Sequence, residues 1–245
     1  MCDMQSRERC AEVLRAALFS ADMSLSSEQV DLLAHHLSLV IAKNATINLT
    51  RIDSVEDGAY LHVVDSLLLL GAFDAAPDGA FMDMGTGAGF PGIPLAVATG
   101  RKALLVDSVG KKVAAVEEFV RALGLSDQIC ARHARVEDLG RQMRGSFSVV
   151  TARAVAQTNV LVEYAAPLLR RNGRLVVAKA RPTDDEIAAA DRAARVCGLK
   201  RVSRETFELP EERGHREVIS YERVGNPSIK LPRATGMAKH HPLGM

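Results

Sequence analysis

The residues best placed to do chemistry are Asp83, Gly85, Gly87 and Gly89, spaced D-x-G-x-G-x-G in the run Asp83-Met-Gly-Thr-Gly-Ala-Gly-Phe-Pro-Gly92. Glycines at alternate positions let the backbone turn sharply and approach a ligand where a Cβ would collide. The run follows a short apolar segment, 80–82, that reads as a buried strand. It leads into Ile93-Pro-Leu-Ala-Val-Ala98, a helix start with Pro91 in its first turn. Strand, glycine turn and helix N-terminus together make a site for an adenosyl or phosphate-bearing ligand. Two ligands compete for it. Gly87, Gly89 and Gly92 satisfy the dinucleotide spacing G-x-G-x-x-G in a shifted register, but counted from Gly85 the pattern fails at Phe90. A carboxylate at Asp83 is poorly placed beside a pyrophosphate and well placed near the cationic amino end of S-adenosylmethionine. Leu104-Leu-Val-Asp107 is a second short strand ending in an acid about 20 residues on, suited to ribose hydroxyls of either ligand. The plainest alternative is a glycine turn with no ligand, and two matched acids weigh against it.

Such groups need a scaffold, and the chain supplies an ordered alternation. Apolar residues at helical spacing mark 8–19, 28–43 and 55–73 as helices. Strands are expected at 80–84, 103–106, 128–133, 147–151 and 174–178, with helices at 91–98, 110–123, 157–169 and 184–196 between or after them. Two closing strands, 201–209 and 217–221, are joined by a hairpin-length loop, so one must run antiparallel to the rest. The expected fold class is α/β: a seven-stranded Rossmann-like class I methyltransferase sheet with an N-terminal helical extension. Residues 1–78 form the extension, 79–224 the S-adenosylmethionine-dependent domain and 225–245 a basic C-terminal tail.

In such a sheet, chemistry gathers past the carboxyl ends of the strands. There the sequence places Asp107 and Ser108, then Arg135-Val-Glu137, Thr151-Ala-Arg153-Ala154, and Lys179. Glu137 or a nearby N–H could read an adenine edge. Arg135, Arg153 and Lys179 converge on one end of the sheet and suggest a polyanionic substrate, although each alone reads as an ordinary surface charge.

Composition narrows the class. The 245 residues are 47% hydrophobic and 25% charged, ordinary for a globular protein with a full core. No apolar run approaches the ~20 residues of a membrane span, and the N-terminus lacks a secretory layout. The four cysteines (Cys2, Cys10, Cys130, Cys197) are scattered, so reduced thiols in a cytoplasmic protein are expected and a metal site is not. The net charge of +1 hides an asymmetry. Residues 224–245 hold Lys230, Arg233 and Lys239 and no acid; taking those three from the 31 basic residues leaves 28 against 30 acidic ones. The body is −2 and the tail +3. Rich in Pro, Gly, Asn and Ser, the tail reads as an extended arm that tracks phosphates or merely solubilises.

The motifs together resemble the bacterial small-subunit ribosomal RNA guanine-N7 methyltransferases, once called glucose-inhibited division protein B. Residues 83–96 carry that family's glycine signature. Asn44-Ala-Thr-Ile-Asn-Leu-Thr50, His62-Val-Val-Asp-Ser66, Leu105-Val-Asp-Ser-Val-Gly-Lys-Lys112, Arg135-Val-Glu-Asp138, Ala152-Arg-Ala154, Gly173–Lys179 and Pro232–Leu243 follow its order. Departures are small: Ala88 and Phe90 stand where Pro or Leu is frequent, and Thr151 where Ser is usual. The resemblance implies S-adenosyl-L-methionine as cofactor and methylation of N7 of one guanine, position 527, in the 530 loop of 16S rRNA. It also implies the small ribosomal subunit as partner and a monomeric enzyme. Gly85, Phe90, Val136, Glu137 and Arg153 would contact the cofactor, with Asn48, Arg135 and Lys179 facing the nucleotide.

The chemistry of these residue types agrees. Guanine N7 carries an in-plane lone pair and needs no general base. After the fourth strand stands Thr151-Ala-Arg-Ala rather than the (Asn/Asp)-Pro-Pro-aromatic stretch of amine methylation, and no cysteine follows a strand to attack a pyrimidine carbon. Asn48 could orient the base through its amide. His62 and Asp65, three apart, are expected to bond to each other or to brace the Asn48 loop. A small-molecule methyltransferase, a nicotinamide-dependent oxidoreductase and a non-catalytic ribosome-assembly factor stay open as alternatives.

Overall fold

Five apolar strands separated by helices dictate a parallel sheet. In the computed structural model, which describes residues 4–245, they are β1 (Phe81–Met84), β2 (Ala103–Asp107), β3 (Ile129–His133), β4 (Phe147–Arg153) and β5 (Leu169–Lys179). Two further strands, β6 (Leu199–Leu209) and β7 (Gly214–Arg223), complete a seven-stranded sheet of order β3-β2-β1-β4-β5-β7-β6. The first five strands are parallel, while β7 is antiparallel to both β5 and β6. The β6–β7 loop is too short for a crossover, which forces that reversal. Strand order switches direction between β1 and β4, where a crevice opens at the carboxyl ends.

Pleating sends neighbouring residues of β1 to opposite sides. Phe81 joins one core with α1 (Met4–Ser20), α2 (Ser27–Asn44), α6 (Gly92–Thr99) and α7 (Gly110–Ala122). Met82 and Met84 join the other, with α8 (Val136–Gln142), α9 (Thr158–Ala165) and α10 (Asp184–Cys197). The N-terminal helices therefore share a continuous core with the sheet. A capping box, Ser26 with Gln29, starts α2. Cys10 and Cys197 are buried and Cys130 is exposed; Cys2 lies outside the described residues, as does the extreme N-terminus. Among the described residues no helix is long and apolar enough to cross a membrane, and no cluster of three metal-binding side chains occurs.

Three expectations are corrected. The helix expected at 55–73 is broken into α3 (Val55–Gly58), a π-helical stretch (Ala59–Val64), α4 (Asp65–Leu67) and α5 (Leu70–Asp74). Its apolar spacing fits both helix types, so periodicity alone did not separate them. The helix expected to reach 169 ends at Ala165, just before Pro167, and β5 starts five residues earlier than the apolar run. The tail is not a free arm. It folds back over the second core, buries Leu231 and Ala238 and forms a short helix, α11 (Met237–His240). Arg233, counted as a tail cation, is paired with buried Glu163 at 2.7 and 2.5 Å.

Candidate active site

β1 ends with Asp83 and Met84 pointing to opposite faces. Asp83 is fully buried, and its Oδ2 accepts a hydrogen bond from the Gly92 N–H at 3.0 Å. A Cβ on Gly92 would lie 2.2 Å from Leu105 and 2.8 Å from that oxygen, so only glycine lets α6 start directly on the carboxylate. Burial pushes the Asp83 carboxyl up to about 6, against the pull of Thr86, the Gly92 N–H and Arg153. Its other oxygen, Oδ1, has no hydrogen-bond partner. Asp83, expected at the cofactor's amino end, lies beneath the loop and holds the start of α6. Gly85 takes φ +72°, and a Cβ there would stand 2.5 Å from Val155.

On the Met84 side, a cleft runs over the ends of β1, β2 and β4. Gly85, Asp107, Lys112, Arg135, Val136 and Glu137 line it together with Tyr164 and Lys239. Asp107 is oriented by two backbone donors, Gly87 N–H to Oδ2 at 3.1 Å and Val109 N–H to Oδ1 at 2.9 Å. Each oxygen keeps a second lone pair, which suits a ribose diol. Glu137 is buried at the start of α8, and its Oε1 accepts from the Gly236 N–H at 3.0 Å. Burial, then the Glu137 carboxylate, pushes the Tyr164 phenol up to about 12, so it stays a neutral donor.

A second cleft, largely apolar, adjoins the first. Ile52, Leu61, His62, Arg153, Lys179 and Arg216 line it, and Ala154 lines both. Ala154 holds φ +55°, a left-handed conformation in a non-glycine residue. Arg153 reaches the Leu61 carbonyl at 3.1 Å and the buried Asp65 carboxylate at 2.9 Å. Asp65 also takes Arg216 at 2.9 Å. Lys179 donates to the Ala156 carbonyl at 2.7 Å and faces Glu186 at 2.8 Å. Arg135 thus sits in the first cleft, while Arg153 and Lys179 share the second.

Phe90 is buried, stacked on His62 at 4.4 Å and tilted against His36 at 4.5 Å. Expected to contact the cofactor, it packs the N-terminal helices against the loop and is not among the residues that line the first cleft. Arg153 likewise faces Asp65 rather than the first cleft. Asn48 is exposed beside Asn44, Thr50 and Arg51 in a third concavity. His62 connects that loop to the second cleft, its Nε2 lying 3.0 Å from Thr50 Oγ1. The bracing role expected of His62 is present; Asp65 turns to the two arginines instead. Burial drops His62 to about 3 and His36 to about 4, so both are neutral near pH 7. The residues that sequence reasoning did not assign to the site are Arg216, Tyr164 and Lys239. Asp65 stood in a quoted motif, but nothing near Arg216 marked it. Another concavity, about 810 Å³, lies along edge strand β6, away from the strand ends where these groups meet.

The family model described as rRNA small subunit methyltransferase G matches residues 29–216. Curated relatives named ribosomal RNA small subunit methyltransferase G include one from Carboxydothermus hydrogenoformans, 35% identical over 90% of this chain and 94% of its own. Another, from Gloeobacter violaceus, is 40% identical over 84% and 83%. The chain belongs to the rRNA small subunit methyltransferase G family. Solved structures agree on the fold. A geranyl diphosphate methyltransferase in complex with GPP and sinefungin aligns with TM-score 0.56 at 15% identity, over 69% of this chain and 80% of that one. A putative sarcosine dimethylglycine methyltransferase from Galdieria sulphuraria gives 0.53 at 11%, over 70% and 88%.

As a member of the rRNA small subunit methyltransferase G family, the chain is an S-adenosylmethionine-dependent methyltransferase of ribosomal RNA. The first cleft fits that cofactor: a glycine turn that a Cβ would fill, an oriented carboxylate for the ribose, and apolar Val136 beside buried Glu137 for an adenine.

Proposed function

We propose that the enzyme methylates N7 of the guanine at position 527 in the 530 loop of 16S rRNA, within the small ribosomal subunit. The observation that carries this reading is the apolar, cation-rimmed second cleft sharing Ala154 with the cofactor cleft. A base seated there lies beside a methyl donor, and proximity is the main task for a nucleophile that already has a free lone pair. Bound S-adenosylmethionine supplies an activated methyl on a sulfonium. No side chain need accept a proton, in keeping with the second cleft's acid–base groups: His62 is neutral and buried, and Asp65 is locked between Arg153 and Arg216.

Gly85, Gly87, Asp107, Val136 and Glu137 hold the cofactor in this reading. Asp83 acts through Gly92, Phe90 through His62, and Arg153 through Asp65. Lys179 uses two of its three donors on Ala156 and Glu186, leaving one for guanine O6 or a phosphate. Transfer leaves a cationic base, which added positive charge does not stabilise, so Lys179 and Arg135 grip rather than catalyse electrostatically. Asn48 reaches the base or its neighbour from the rim. The target must be single-stranded or flipped to enter the cleft.

The test is transfer of a labelled methyl to small subunits lacking the modification, with modified subunits as control. Label mapping to one N7-methylguanine, absent from the control, is the expected result. Label at another atom or nucleotide overturns the target assignment.

A further inference from the structure

The tail, expected as an extended arm that tracks phosphates or merely solubilises, is folded against the cofactor cleft, and its anchoring is specific. Arg233 makes two bonds to Glu163, a residue 2% exposed, and donates to the His241 carbonyl at 2.8 Å. Arg144 donates to the Leu231 carbonyl, and Asn159 donates to the Leu243 carbonyl at 2.8 Å. Between these anchors, Gly236 turns with φ +86° and places its N–H on Glu137 Oε1. Three residues later, Lys239 enters the lining of the cleft that holds Asp107 and Glu137.

We propose that the segment Pro232–Leu243 closes the adenine end of the cofactor cleft, with Lys239 as a further cofactor-binding residue and Gly236 as a positioning residue for Glu137. This rests on the assignment of that cleft to S-adenosylmethionine. The chemistry is complementary. Adenine N1, N3 and N7 are acceptors, and an ammonium offers donors only. Two carboxylates in one cleft favour cations there, and Lys239 joins Lys112 and Arg135 in its lining. The Gly236 N–H on Oε1 and the Tyr164 hydroxyl fix the Glu137 carboxylate in place, and its remaining lone pairs can accept from the adenine amino group.

The experiment titrates S-adenosylmethionine calorimetrically into the full chain, Lys239→Ala, Lys239→Arg and a chain ending at Ala234. The last keeps Leu231 and Arg233 but lacks Gly236 and Lys239. Lys239→Ala should weaken binding about tenfold, the scale of one charge-assisted hydrogen bond, and Lys239→Arg should restore most of it. The shortened chain should bind weaker still. In turnover, KM for the cofactor should rise while KM for RNA and kcat stay near those of the parent. Unchanged cofactor affinity in Lys239→Ala overturns the proposal. Unchanged cofactor affinity with a raised KM for RNA and a shallower salt dependence would make the segment a phosphate-gripping arm. Lys239 is exposed, so its pair of variants decides even if the shortened chain melts early. Should the full chain bind no S-adenosylmethionine, the cofactor assignment of the cleft falls first, which the full-chain titration reveals by itself.

Discussion

Asp83 is one residue from the cofactor cleft and yet belongs to the opposite core. Its carboxyl is raised to about 6 from 3.8, mainly by burial. The folded chain therefore holds a proton more tightly than the unfolded chain does. That preference favours the fold below about 4 and is lost as pH rises to about 6. Asp83→Asn should remove this dependence, so its stability relative to the parent should climb between those values and level off above, as urea unfolding at several pH values would show. Gly85→Val meets both a left-handed φ and Val155 at 2.5 Å; calorimetry should find its cofactor affinity lost. Lys179→Ala should bind the cofactor normally while transferring methyl at least about tenfold more slowly, the loss expected for one charge-assisted contact. Normal turnover would remove Lys179 from the site. The sequence made the neighbourhood of all these residues readable, because strand ends collect chemistry. It did not show which way each side chain turns: Asp83 turns to the Gly92 N–H, Phe90 to the His62 ring and Arg153 to Asp65.

At the scale of elements, strands were the easiest to read. Short apolar runs closed by Gly or Asp, as at β1 and β2, have few other interpretations, and β1, β2 and β3 lie within a residue of their expected ends. The 55–74 segment was harder, since a π-helical stretch inserts no marker into the sequence. That stretch sets His62 towards Thr50 and Asp65 towards Arg153 and Arg216, an arrangement that lies at the second cleft. β4 carries a comparable irregularity where it ends. Ala154 at φ +55° is strained by its Cβ, so Ala154→Gly should stabilise the fold by about 1 kcal/mol, read from the thermal midpoint. If the strained backbone shapes the clefts, the same variant should bind cofactor or RNA more weakly despite its higher stability.

The whole molecule wraps both faces of one sheet, and its last residues are part of that wrapping. Composition identified the tail's charge but not its folded path, because the acid that neutralises Arg233 lies 70 positions earlier. Arg233→Ala would leave Glu163 buried without its cation, and breaking such a pair costs about 3 kcal/mol. Chemical denaturation should show that loss, and Arg233→Ala combined with Glu163→Gln should recover part of it. The two clefts have a corresponding unity. One residue, Ala154, walls both, so occupancy of either changes the surface met by the other ligand. Any such coupling is reciprocal: if bound RNA tightens the cofactor by some factor, bound cofactor must tighten RNA by the same factor. Under the proposed placement of cofactor and RNA, a coupling that senses the transferred methyl would let its loss from the cofactor change the grip on the RNA.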